Sequence, residues 1–157
     1  MTQTSSSLPD LVHAVARGLR RSWIQSLEPH GITPHEWRAL HTVAKRTSGP
    51  DASSEEPLRQ RDLAEALRIT PRSAAEVVCR LEELGLVTRS PHPSDKRALA
   101  VAVTKHGLEV EAQIEALRSR SGDEYFAMLP AEDADELARI LSQVLEEHPI
   151  PPRGHRH

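Results

Sequence analysis

Cysteine, long apolar runs and the usual catalytic signatures are all scarce in this chain. A single cysteine, Cys79, in 157 residues excludes an intramolecular disulfide framework and fits a reducing, cytoplasmic setting. No apolar run approaches the roughly 18 residues of a membrane span, so no membrane partner is expected. Met1 to Ser7 is polar and lacks the apolar centre of a signal peptide. No nucleophile–base pair, metal-ligand cluster or Gly-rich phosphate loop stands out, and neither catalysis nor a cofactor is expected. The nine histidines are scattered. Among them His148, His155 and His157 lack the spacing of a structural metal site. There is no internal repeat, and the length suits one domain with an adequate core.

The charge that is present is unevenly placed. The net charge is -3, but residues 57–106 carry nine Lys/Arg against six Asp/Glu, and residues 107–157 carry five against eleven. Residues 1–56 carry six of each. A basic middle and an acidic C-terminal part are what a chain shows when one region faces phosphates and another faces solvent.

Apolar periodicity and capping residues predict six helices. The first runs from Pro9 to Glu28, capped by Ser7, with Val12, Val15, Ala16, Leu19, Trp23 and Leu27 as its stripe. The second opens at Thr33-Pro34 with Glu36 placed for a capping box, and buries Trp37, Leu40, Val43 and Ala44. A loop rich in Ser, Pro and acidic residues follows from Thr47 to Pro57. The third helix is expected from Arg59 to Arg68, with Leu63, Ala64 and Leu67 inward. The fourth begins with Thr70 as cap and Pro71 in its first turn, turns Ala74, Val77, Val78 and Leu81 inward, and ends at Gly85. Two short helices joined by so short a turn resemble a helix-turn-helix. Leu86 to Arg89 and Ala98 to Thr104 read as paired strands, with Leu99, Val101 and Val103 on one face and alanines on the other. Between them lies the Pro-rich basic turn Ser90 to Arg97. A fifth helix (Lys105 to Ala127) and a sixth (Pro130 to Glu147, striped by Leu137, Ile140, Leu141, Val144 and Leu145) complete the chain before a Pro-rich tail. The expected fold is mainly α with a small β-wing: a winged helix-turn-helix, six helices and a two- to three-stranded antiparallel sheet. Its divisions are residues 9–46, 57–104, 105–147 and the tail 148–157.

A winged helix reads duplex DNA, placing one helix in the major groove. The outer face of the fourth helix offers Arg72, Ser73, Ala75, Glu76 and Arg80, and the N–H groups after Thr70 and Pro71 can take a phosphate. Arg59 joins this candidate set from the start of the third helix. Glu76 can accept from a cytosine amino group, or it can form an intrahelical ladder with Arg72 and Arg80 at four-residue steps. The ladder is the preferred reading. In the turn, Lys96 and Arg97 present two cations to phosphate or the minor groove, with Asp95 expected to hold the Arg97 guanidinium. An ordinary solvated turn with a Ser94-Asp95 side-chain bond is the plainer alternative.

These features together resemble the MarR family of bacterial transcription regulators, over roughly residues 9–147. The resemblance is carried by Leu58-Arg59-Gln60-Arg61-Asp62-Leu63-Ala64, by Arg80-Leu81-Glu82 with Gly85-Leu86-Val87, and by Asp95-Lys96-Arg97 running through Leu99 to Thr104. It implies a homodimer whose first, fifth and sixth helices form the dimer layer. It also implies a pseudo-palindromic operator, repression, and release by a small aromatic or anionic effector held between that layer and the winged helix. Three departures stand out: Arg68 where members often have Gly, Ala75-Glu76 where they often have Thr or Ser and then Arg, and a longer loop from Thr47 to Pro57. Trp23, Trp37, Arg38 and His41 fall where such effector pockets lie. Taken singly, Trp37 reads as core and Trp23 as dimer-layer packing. Cys79 reads as a half-buried filler rather than a redox sensor, and a winged-helix module that binds protein instead of DNA is the alternative function.

Overall fold

Four helices start on a hydroxyl that accepts a backbone N–H, the arrangement that satisfies the otherwise unpaired donors of a first turn. The computed structural model describes residues 7–48 and 57–149. Helix α1 (Leu8–Leu27) is capped by Ser7, whose Oγ accepts from Asp10 N. A 3-10 turn (Glu28–His30) and Gly31, at φ +64°, then reverse the chain. Helix α2 (Pro34–Ser48) has the expected capping box: Thr33 N donates to Glu36 Oε2 at 2.7 Å and Glu36 N to Thr33 Oγ1 at 3.2 Å. The expected loop from Thr47 lies largely outside the described residues, as does the tail beyond Pro149.

Strand β1 is only Leu58–Arg59, followed by helix α3 (Gln60–Leu67). Arg59 is thus both the second residue of β1 and the N-cap of α3. Its backbone pairs across the sheet with Ala100, a partner that local periodicity cannot reveal. Arg68 ends α3 at φ 55°, a left-handed conformation that costs a non-glycine residue roughly 1–2 kcal/mol. Thr70 then caps helix α4 (Pro71–Glu83), accepting from Ser73 N at 3.1 Å. Gly85, at φ +71°, closes it, and Leu86 N reaches back to Leu81 O.

The wing strands are longer than the sequence pattern implies. β2 is Val87–His92 and β3 is Asp95–Val103. The antiparallel sheet has the order β1-β3-β2, so β2 is an edge strand and tolerates Pro91. The expected alternation on β3 fails at one point. Val101 and Ala100 are both buried, while Leu99 is 41 % exposed, because β1 covers only the Ala100 and Val101 rungs.

Helix α5 (Lys105–Phe126) is capped by Thr104, and helix α6 (Ala131–Glu147) follows Pro130. Thr104 does more than cap. Its Oγ1 donates to Gly85 O at 2.6 Å and its N–H to Leu86 O at 3.0 Å, while Gly107 N donates back to Oγ1 at 2.9 Å. Gly107 lies against the Leu86 carbonyl with no room for a Cβ, and Gly18 of α1 likewise admits the Tyr125 ring. One core joins the winged helix to the long helices, built on Leu27, Leu40, Leu63, Leu81, Val101 and Ile114. By contrast, no residue of α6 is buried, and Ile140, Leu141, Val144 and Leu145 are exposed, as are Leu11, Val12 and Val15 of α1.

Candidate nucleic-acid interface and the adjoining cleft

Because Ala74, Val78 and Leu81 turn inward, the opposite face of α4 is left to polar residues. Arg72, Glu76 and Arg80 are exposed there, with Ser73 and Ala75 at the half-buried margin. Half of the expected ladder forms. Arg72 Nε donates to Glu76 Oε1 at 3.2 Å, but Arg80 turns to Glu83, at 3.3 Å from Nη1 to Oε2, instead of Glu76. The i,i+3 acid is within reach on the same face, so the arginine need not go back a turn. Thr70 and Ser73 bond each other side chain to side chain at 3.0 Å, and Pro71 occupies the first turn.

The wing tip is shaped by a register shift. Pro91 pairs with Leu99 and His92 with Asp95, so Lys96, Arg97 and Ala98 are looped out between the two rungs. Lys96 and Arg97 are exposed on that bulge. Asp95 holds the bulge, but not as expected: its Oδ1 accepts the backbone N–H of Arg97 at 3.0 Å, and no ion pair joins it to the guanidinium among the described residues. A two-residue spacing suits a carboxylate bonding to the main chain. Arg59 reaches the same tip from β1, with Nη2 donating to Ser94 Oγ at 3.4 Å.

Two residues at this site carry weight that the sequence reading missed. Glu82 is engaged within the chain. It accepts Arg89 N at 3.0 Å and Arg89 Nε at 2.9 Å, tying the end of α4 to β2. The hydrogen bonds from the Arg89 side chain, then its backbone, hold the Glu82 carboxyl below the usual carboxylate range. His92 is buried beneath the tip.

Behind the winged helix, α1, α2 and α5 enclose a cleft of about 390 Å³. Trp23, Trp37 and Arg38 line it, together with Arg20, His35 and Arg118. The indoles meet edge to face, 4.7 Å between centroids, and the Arg118 guanidinium stands 5.7 Å from both rings. His41 does not line the cleft. It stacks on Trp37 at 4.7 Å and pairs through Nδ1 with Glu111 Oε1 at 2.6 Å. Trp37 is buried, as its core reading has it, and Trp23 is half-buried. Arg118 comes from α5, far along the chain, and no local pattern flags it. Cys79 is half-buried, with Sγ 3.9 Å from Glu83 Oε1. No group of three or more metal-ligating side chains forms among the described residues. No described helix is long and apolar enough to cross a membrane.

A capped helix-turn-helix, a three-stranded sheet with a basic bulged tip and long flanking helices define a winged helix-turn-helix fold. The family model described as MarR family matches residues 30–98, and over that stretch the chain is similar to the MarR family. It is 27% identical over 156 residues to a Thauera aromatica protein whose name assigns it to transcriptional regulation of the hcr operon, covering 91% of this chain and 89% of that one. MepR, a transcription regulator of the Staphylococcus aureus multidrug efflux pump MepA, superposes with a TM-score of 0.78 at 18% identity, over 90% of this chain and 98% of that one. It has also been solved, as a mutant, bound to an oligodeoxyribonucleotide and, separately, bound to ethidium bromide. The apo form of E. coli MarR superposes with a TM-score of 0.69 at 24% identity, over 88% and 96% of the two chains.

The Glu82–Arg89 tie has a pH consequence. The Glu82 carboxyl titrates lower in the folded chain than its ordinary 4.5, so the stability it supplies is full above that value and is lost as the pH falls through the folded one. Glu82→Gln should lower the urea midpoint at pH 7, and the gap to the wild type should close below about pH 4.5. A gap of constant size down to pH 3 would show that the tie is not electrostatic.

Proposed function

We propose that this chain is a cytoplasmic DNA-binding regulator, acting as a homodimer that represses transcription from a pseudo-palindromic operator and leaves it when a small effector binds. No catalysis is assigned to it. The observation that carries the DNA reading is the wing tip: a register shift loops out Lys96 and Arg97, with the Arg97 N–H fixed by Asp95. Cations presented this way suit phosphate contact or entry into the minor groove. The fourth helix then serves the major groove, with Arg72, Ser73, Ala75, Glu76 and Arg80 facing the bases and Thr70 and Pro71 placing its first turn against a phosphate. Glu76 orients Arg72, and Arg59 supports the wing contact. The solved complex of MepR with an oligodeoxyribonucleotide supports the same docking here.

Residues 57–104 form the DNA-binding region on this reading. Residues 9–46 and 105–147 form the dimer layer and the pocket wall, and residues 148–157 are a tail outside both. The uncovered apolar stripes of α1 and α6 support the homodimer, since a monomer would leave them in water. The cleft supports an effector with an aromatic ring and an anionic group: indole faces for the ring, and Arg20, Arg38 and Arg118 for the charge. His41 acts from behind Trp37, held by Glu111.

Three experiments test this reading. A duplex from the chain's own promoter region should be shifted by the wild type, and Arg97→Ala should weaken binding by about tenfold and flatten the salt slope by about one. A chain that shifts no promoter duplex at low salt is a protein-binding module instead. Light scattering at micromolar concentration should give the mass of two chains, and Val144→Asp should give the mass of one; a wild-type monomer defeats the dimer. Benzoate should quench indole emission and release the duplex, with both effects lost in Arg118→Ala. An unchanged response in that variant removes the cleft assignment.

A further inference from the structure

His92 is 1 % exposed and is the one polar side chain buried among the described residues. A polar ring in that position must satisfy its nitrogens inside the protein. It does so by joining two segments. Nε2 lies 3.2 Å from Pro57 O, at the entry to β1. Nδ1 lies 3.3 Å from Ser94 N and 3.0 Å from Ser94 Oγ, in the turn of the wing. A carbonyl can only accept, so Nε2 carries the proton and donates to Pro57; Nδ1 then accepts from the Ser94 N–H. The Ser94 hydroxyl can donate to Nδ1 and still accept from Arg59 Nη2, 3.4 Å away.

The ring sits at the point where the sheet register breaks. His92 pairs with Asp95, and the next rung is Pro91 with Leu99. A bulge of three residues against none carries no ladder bonds of its own, so its position depends on what grips its ends. Asp95 grips it from above through Arg97 N, and His92 grips it from below through Ser94.

We infer that His92 is a positioning residue for DNA binding: its neutral ring ties the wing turn to the start of β1 and so holds the bulge that carries Lys96 and Arg97 in place before DNA arrives. This rests on the reading of the wing as a DNA contact. Fixing the tip in the free protein removes an ordering cost that would otherwise be charged against binding. His92 itself touches no DNA on this account; it acts through Arg97.

The test uses the full chain with His92→Leu, which removes both ring bonds, and His92→Asn, whose amide oxygen can replace Nδ1. Amide exchange at Ser94 and Arg97 should speed up by about tenfold or more in His92→Leu while core amides such as Leu40 and Leu81 keep their protection. His92→Asn should restore protection at Ser94. Arg97→Ala should cost about tenfold in duplex affinity in the wild type but less than about twofold in the His92→Leu background, because the two residues act as one unit. Unchanged exchange at Ser94 and Arg97, or affinity losses that simply multiply, would overturn the inference. Should His92→Leu fail to fold, nitrogen NMR of the wild-type ring decides: a proton on Nε2 supports it and a proton on Nδ1 overturns it. A wild type that binds no duplex defeats the regulatory reading alone, since the exchange and ring-nitrogen measurements still report on the wing.

Discussion

Four segments meet at the side chain and backbone of Thr104. Its hydroxyl donates to the carbonyl of Gly85, where α4 ends, and its N–H donates to Leu86, where the chain turns into β2. The same hydroxyl accepts from Gly107 and starts α5. An N-cap of this kind is worth about 1 kcal/mol by itself, but here its loss would also free the Gly85 carbonyl at the back of the helix-turn-helix. The glycine at position 107 is required by the same contact, since the Leu86 carbonyl occupies the space a Cβ would need. The angle between the winged helix and the long helices is therefore set by backbone atoms pressed together, not by a flexible linker.

The distribution of charge follows from that frame. The net charge is acidic, yet the three acids of α4 are engaged within the winged helix. Glu76 pairs with Arg72, Glu83 with Arg80 and Glu82 with Arg89. The first two pairs are exposed and contribute little to stability; their effect is to restrict where the arginines point. The third is better enclosed and bonds to main chain as well as side chain. Lys96 and Arg97 have no such pairing among the described residues and stand on the bulge, so the local field at the wing is positive although the chain as a whole is not.

Much of this was legible in the sequence because its causes are local. Ser7, Thr33 and Thr70 cap their helices through bonds three residues away, and the inward faces of α2, α3 and α4 follow the helical period. What depended on distant partners was not legible. The pairing of Arg59, the cap of α3, with Ala100 leaves no trace in local periodicity, and Leu99 reads as core until β1 proves too short to cover it. The grip of Asp95 on a backbone N–H, the retention of Arg80 by Glu83, and the place of Arg118 beside two indoles are choices among several local possibilities that only packing decides. The burial of His92 gives no periodic signal at all, since it is created by a register shift.

Helix α6 spans 17 residues and buries none of them. Within the chain, Leu137 and Leu141 line a groove of about 180 Å³ together with Phe126 and Leu129. A helix of that length alone in water is marginal, and in the proposed homodimer the surface of the partner supplies most of the free energy that keeps it ordered. Its order and its association are then one event, and the degree to which the last helix is formed becomes a function of how much protein surrounds it.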